Sequence, residues 1–431
     1  MASLGTRRAA LSVAGAVQVP GDKSVSHRAL MLAALADGGS LIRGILQSQD
    51  VHATARAMRA LGWDVPDIGA EMPIVGRGLR SPASAPTGVL DCGNSGTTTR
   101  LVAGIAAAQP FASTFTGDAS LSRRPMRRVA DPLEAMGARV EWLEAPDRLP
   151  MRVHGGALHT IAWEAPVASA QLKSAVLLAG LCAGVRVRVR EPAPTRDHTE
   201  QMLRTLGVPV TNEGDWVSLE PIPSLPGTTY DVPGDPSSAA FFLALAALAD
   251  QGSLILDNVL VSQYRDGFVR ALRRMGAGVS DETSFGSDGS TYSGYIVSAG
   301  RRLQGITVPA IDVPGMIDEL PLLAVVAARA EGETVVRGAS ELRVKESDRI
   351  TVTVANLRAI GVDAEELPDG FVVRGTDAPL QGLVEVHDDH RIAMAFGVLA
   401  ATKNTEIHLD DLECVAVSYP GFWGDLDRVT A

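Results

Sequence analysis

Only three cysteines occur in 431 residues, scattered at Cys92, Cys182 and Cys414. That spacing supports neither a disulfide framework nor a thiolate metal site, and it implies a reducing compartment. Aromatic residues are scarce too, at 4%, and 39 basic side chains are outnumbered by 50 acidic ones, leaving a net charge of −11. A protein that stacks bases or wraps a polyanion needs the opposite balance, so no nucleic-acid partner is expected. A long apolar run is also missing. The opening MASLGTRRAALSVAGAVQVPG has two arginines but only a short, glycine-interrupted apolar stretch, and no stop-transfer segment follows. The chain is therefore expected to be cytoplasmic, with no membrane association.

What is there is an ordinary apolar fraction, 46%, rich in alanine and glycine. The length suits two domains with large buried cores, and the small side chains suit helices packed closely on sheets. A repeat then becomes visible. A polar or glycine turn, an apolar helix, a short strand, a second helix and an (L/M/I)G ending recur at roughly 65 to 80 residues, beyond the usual solenoid periods. VPGDKSVSHRALMLAALADGGSLIRG in the first copy is plainly similar to VPGDPSSAAFFLALAALADQGSLILDN in the fourth. The second copy opens with DCGNSGTTTRLVAGIAAA, the third with VASAQLKSAVLLAGL, the fifth with VPGMIDELPLLAVVAARAEG and the sixth with VHDDHRIAMAFGVLAAT, which frays out near Gly424.

Near-continuous apolar residues in the first helix of each copy predict burial on most sides, whereas HTEQMLRTLG has the mixed pattern of a covering helix. SLIRGI, RVRVRE, SLILDN and ETVVRG read as strands. Three copies on either side of a Pro/Gly-rich crossover, Pro226 to Gly234, give two similar α/β globes. Nearly every unusual polar residue falls at the N-terminus of a helix. Such ends present unpaired N–H groups and a positive dipole end, so converging ones would form an anion cleft without a metal.

Lys23, Ser24 and Arg28 surround the first such end, in GDKSVSHR. A phosphate loop of the G-x-x-x-x-G-K type is excluded, because Gly15 and Gly21 are separated by five residues and Asp22 precedes the lysine. Asn94 and Gly96 lie in the glycine-rich turn GNSGTTTR, where a ligand could approach bare backbone. In SRRPMRR, Pro125 suits a first helical turn and puts Arg124 at the helix entrance. Ser169 and Gln171 open the third copy, and Arg196 precedes an Asp197-x-x-Glu200 capping pattern.

Asp318 and Glu319 start the helix of the fifth copy, where a carboxylate is stabilised in the ionised form that a base requires. Lys345, Glu346 and Arg349 alternate in sign along RVKESDR, a pattern that a surface salt-bridge face would also give. His387-Asp388-Asp389-His390-Arg391 fits no standard metal spacing; Arg391 reads better as a planar clamp for a carboxylate.

The ordered set GDKSVSHRA, GNSGTTTR, GDASLSRRPM, SAQLKSA, TRDHTE, VPGDPSSA, RVKESDR and DHRIAM resembles the 5-enolpyruvylshikimate-3-phosphate synthases along essentially the whole chain. SAQLKSA, TRDHTE and RVKESDR are spelled as in the class II branch, while Gly96 matches the glyphosate-sensitive type. The resemblance implies an α/β fold of two globes, each of three βαβαββ repeats (20–231, and 1–19 with 232–431), joined by a two-strand hinge and closing on substrate. It implies two substrates, phosphoenolpyruvate and shikimate 3-phosphate, a monomer, and no metal or organic cofactor.

Lys23, Ser24, Arg28, Ser169, Gln171, Arg196, Asp318 and Lys345 match positions that bind shikimate 3-phosphate. Lys23, Asn94, Gly96, Arg124, Gln171, Arg349 and Arg391 match those facing phosphoenolpyruvate. Asp318 matches the base, and Glu346 or Lys23 the acid that protonates C3. Class I members carry a lysine where this chain has Val417, so the phosphate falls mainly to Lys23, Arg124 and Gln171.

The nearest rival is the similar UDP-N-acetylglucosamine enolpyruvyl transferase family. That family has a reactive cysteine where this chain has Ala119, and a lysine–asparagine pair where it has Lys23-Ser24.

Overall fold

A computed structural model of the chain describes residues 2–3, 10–79, 85–285 and 291–430. The chain divides into two compact units, Gly21–Val232 and Met1–Pro20 with Pro233–Ala431. Each has its own core, and no residue is shared between the two.

The repeat is clearest where Leu90–Asp91 leads through the helix Gly96–Ala107 to the strand Ala112–Thr116. The helix Arg127–Ala135 and the strands Arg139–Trp142 and Met151–His154 follow. This is a βαβαββ unit. Its first two strands pair in parallel, as a helical crossover demands, and the remaining pairs are antiparallel. The same rule holds for Ile161–Glu164 beside Val187–Arg190; Thr229–Asp231 is also parallel to Asp37–Arg43, but it closes the unit from the far end of its chain rather than across one helix. In the other unit the rule holds for Leu380–Val384 beside Thr405–Leu409. The described strands form six small sheets. Of SLIRGI, RVRVRE, SLILDN and ETVVRG, read as strands, the parts SLIR, VRVR, SLIL and ETVV fall in Asp37–Arg43, Val187–Arg190, Gln251–Leu256 and Glu333–Val336.

Strands from the chain start complete the unit that holds the chain end. Ser12–Val13 and Ala16–Val17 lie parallel to Gln251–Leu256, and Ala2–Ser3 pairs with Thr405–Leu409.

Six inner helices, one per repeat, run Lys23–Leu35, Gly96–Ala107, Ala170–Ala183, Pro236–Leu248, Leu320–Ala327 and His390–Ala400. All are buried along most of their length, as their continuous apolar runs predict. Small residues let them approach closely. A Cβ on Gly104 would lie 2.3 Å from the Ala175 carbonyl of the neighbouring inner helix, so only glycine fits. Outer helices such as Gln49–Ala60 and His198–Thr205 bury one face only.

Three local expectations need correction. The last repeat does not fray at Gly424: a helix runs Phe422–Val429, held by buried Phe422, Leu426 and Val429. Pro125 is not in a first helical turn, since the helix begins at Arg127 with Met126 as its cap; Arg124 instead follows the short helix Ala119–Ser122. Asp197 makes no capping hydrogen bond, because its carboxylate accepts from Gln201, and Glu200 turns inward to Lys173.

Candidate functional site

In the unit Gly21–Val232, each inner helix starts at a short polar cap. Asp22 Oδ1 accepts from Val25 N at 2.7 Å, Ser95 Oγ from Thr98 N at 3.1 Å and Ser169 Oγ from Leu172 N at 3.3 Å. These bonds fix the helix entrances and the side chains next to them. Lys23 Nζ lies 2.6 Å from Asp50 Oδ2, on the first turn of an outer helix. Arg28 is buried and held three ways: Nε donates to Thr199 Oγ1 (2.6 Å), Nη2 to Ser174 Oγ (2.7 Å) and Nη1 to the Ser24 carbonyl (2.9 Å). Ser24 and Arg196 are half-buried.

Around the glycine-rich turn, Arg124 Nη2 donates to Asn94 Oδ1 at 2.8 Å, and Asn94 Nδ2 to Asp118 at 2.7 Å. Gln171 accepts from Arg100 Nη1 at 2.7 Å and donates to Thr97 at 3.0 Å. A Cβ on Gly96 would stand 2.7 Å from Arg100 Nη1 and 3.4 Å from Arg124 Nη1. Beneath these groups a buried relay, His27–Thr54–Thr98–Ser95, ties the first two repeats together at 2.6, 2.7 and 2.7 Å. Burial first, and then Lys23 and Arg28 nearby, holds His27 well below the usual histidine range; the ring stays neutral.

The other unit gathers its own cluster. Asp318 ends a 3-10 stretch (Ala310–Glu319) at the mouth of an inner helix. Its Oδ1 lies 3.1 Å from Lys345 Nζ and 3.4 Å from Arg349 Nη1. Arg349 is 1% exposed. Its fork reaches Asp389 at 2.8 and 3.1 Å and Glu346 at 2.6 Å. Burial works to raise the Asp389 pKa, but Arg349 outweighs it and holds the carboxyl below the ordinary range. Arg391 donates to Glu319 at 3.2 Å and to the Asp318 carbonyl at 3.3 Å. Glu319 in turn accepts from Ser237, which accepts from Arg265 at 2.8 Å.

Within the first unit the structure brings Asn94 and Arg124 together, and Gly96, Gln171 and Arg100; in the second, Asp318, Lys345, Glu346, Arg349 and Arg391. Several groups in these clusters stand out only in the fold. Arg100 was visible only as the end of GNSGTTTR, and Asp50 and Arg265 had no local signal. Asp389, in the stretch whose spacing fits no standard metal site, pairs Arg349 and caps the helix through Arg391 N. Among the described residues no cluster of His, Cys, Asp and Glu could hold a metal ion.

Two similar units of βαβαββ repeats, with polar groups gathered at inner-helix N-termini, define an enolpyruvyl-transferase-like protein. The family model described as EPSP synthase (3-phosphoshikimate 1-carboxyvinyltransferase) matches residues 8–426. The chain belongs to the EPSP synthase family.

The 3-phosphoshikimate 1-carboxyvinyltransferase of Alkalilimnicola ehrlichii is 49% identical over 411 residues, covering 95% of this chain and 91% of that one. That of a Sulfurihydrogenibium species is 43% identical over 422 residues, 97% of each chain. The structure of EPSP synthase from Acinetobacter baumannii superimposes with a TM-score of 0.85 at 40% identity, covering 99% of this chain and 97% of that one.

Proposed function

We propose that the protein transfers the enolpyruvyl group of phosphoenolpyruvate to the 5-hydroxyl of shikimate 3-phosphate and releases phosphate. The observation that carries this reading is the collection of side chains from eight separate motifs into polar clusters at inner-helix entrances, within a family match over most of the chain.

On this reading Ser24, Arg28, Ser169, Gln171, Arg196 and Lys345 bind shikimate 3-phosphate, with Arg28 on its carboxylate. Lys23, Asn94, Gly96, Arg124 and Gln171 face the phosphate end of phosphoenolpyruvate, and Arg349 and Arg391 its carboxylate. Both are paired with carboxylates, and Arg391, 12% exposed against 1% for Arg349, is the more accessible. Asp318 takes the 5-hydroxyl proton as that oxygen adds to C2, while Glu346 or Lys23 protonates C3 to a methyl. The tetrahedral intermediate then loses phosphate from C2 as a methyl proton returns to the protein, regenerating the double bond. Fixed cations stabilise the charge on both anions and hold them in line.

Transfer to UDP-N-acetylglucosamine is disfavoured. Ala119 stands where that family carries a reactive cysteine, and burial pushes the Cys92 and Cys182 thiols up to about 12. A monomer working in the cytoplasm is the state that the family resemblance implies, and no described helix is long and apolar enough to cross a membrane. The two compact units are read as its two three-repeat globes.

The test is phosphate release from phosphoenolpyruvate with each acceptor. Release that depends on shikimate 3-phosphate is expected; release with UDP-N-acetylglucosamine alone would overturn the reading.

A further inference from the structure

The third repeat buries a charged knot for which the reaction scheme has no use. Lys173 interrupts an otherwise apolar inner helix, and its ammonium lies 2.7 Å from Glu191 and 2.8 Å from Glu200. The three side chains are 4%, 7% and 2% exposed. Burial first raises the Glu200 carboxyl pKa above the usual range, against the pull of Lys173. Taking such groups out of water costs several kcal/mol each, and a well-packed apolar trio is often as stable, so stability alone does not account for them.

Their other contacts do. Glu191 Oε1 accepts from Ser169 N at 2.9 Å and from the Thr195 hydroxyl at 2.8 Å; Oε2 takes the same hydroxyl at 2.9 Å. One carboxylate thus fastens the cap of an inner helix to the residue before Arg196. Lys173 orients that carboxylate and ties it to Glu200 on the outer helix His198–Thr205. Thr199, next in that helix, holds Arg28 together with Ser174, next to Lys173.

We propose that Glu191, clamped by Lys173, is a positioning residue that fixes Ser169 relative to Arg196 and so sets the affinity for shikimate 3-phosphate. This rests on the proposed role of Ser169 and Arg196 as contacts to that substrate. Glu191 touches no substrate; it acts through the backbone of Ser169 and the hydroxyl of Thr195.

The experiment compares Glu191→Gln, Thr195→Val and Ser169→Ala by steady-state kinetics with each substrate varied. A displacement of the order of 1 Å in a binding group raises KM for shikimate 3-phosphate roughly tenfold or more in Glu191→Gln. Thr195→Val moves it in the same direction by less, and KM for phosphoenolpyruvate stays within about twofold in both. A purely structural role would lower the melting temperature or the yield of active enzyme and leave both KM values alone. An unchanged KM for shikimate 3-phosphate in Glu191→Gln and Thr195→Val, with a raised one in Ser169→Ala, overturns this inference and spares the functional reading. No effect in Ser169→Ala overturns the reading of that half-site and the inference with it. Should Glu191→Gln not fold, Thr195→Val decides.

Discussion

The two units handle their positive charges differently. In Gly21–Val232, Lys23 pairs the Asp50 carboxylate, but Arg28, Arg100 and Arg124 bond to hydroxyls, amides and backbone carbonyls. In the unit with Asp318, carboxylates hold each of Lys345, Arg349 and Arg391: Asp318, Glu319, Glu346 and Asp389 supply four negative charges against those three positive ones. Neutral partners orient a cation without neutralising it, which suits groups that receive an anion in place. Carboxylate partners compete with an incoming anion, and they put proton acceptors beside cations. On the proposed reading the second unit combines substrate-binding cations with the base Asp318, whereas the first holds most of the binding groups.

The largest effect that could break this contrast is Asp318→Ala. Loss of the proposed base is expected to lower kcat by about 10²–10⁴ with both KM values little changed, as measured by initial rates of phosphate release. An unaltered kcat would move the proton acceptor elsewhere.

Next is the buried pair that shapes the carboxylate-rich unit. Asp389→Ala removes two of the carboxylate oxygens that hold the buried Arg349 fork and costs about 3–5 kcal/mol, read from denaturant unfolding. Because the native Asp389 carboxyl lies below its ordinary range, its contribution is complete above the unfolded carboxyl pKa and is lost as pH falls through the folded value. Wild-type stability should therefore decline on acidification below about pH 4 more steeply than that of Asp389→Asn.

Gly96→Ala sharpens the contrast from the other side. Its methyl would meet the Arg100 guanidinium at 2.7 Å, so Arg100 has to shift. One methyl of misfit is worth roughly 10–200-fold in discrimination. Glyphosate, bulkier than phosphoenolpyruvate, is expected to lose more affinity than the substrate does, and inhibition curves for the two proteins that superimpose would sink this account. The smallest effect belongs to Asp197→Ala. With no cap bond to lose, it should change unfolding free energy by less than about 1 kcal/mol, the usual worth of a cap.

Local rules carried the fold far. Continuous apolar runs behind capping residues predicted the inner helices, and β-branched segments predicted the strands they cover. They failed at Asp197 and Glu200, where a good local pattern lost to a buried ammonium 27 residues upstream in the sequence, and at Gly424, where aromatic burial overrides a glycine. The site was legible residue type by residue type, yet its pairings were not. Asp50 with Lys23, Gln171 with Arg100 and Asp389 with Arg349 join positions 27, 71 and 40 residues apart, and no local periodicity announces such contacts.

The pairing of the first strands with the last has a bearing on biogenesis. Ala2–Ser3 finds its partner only when Thr405–Leu409 has been made, whereas Gly21–Val232 has all its strands by residue 231. At about 5–20 residues per second, the leading segment waits on the order of 20–80 s outside the ribosome, tethered to a neighbour free to fold in the meantime. A leader fused ahead of Ala2 would ride on a strand that docks late.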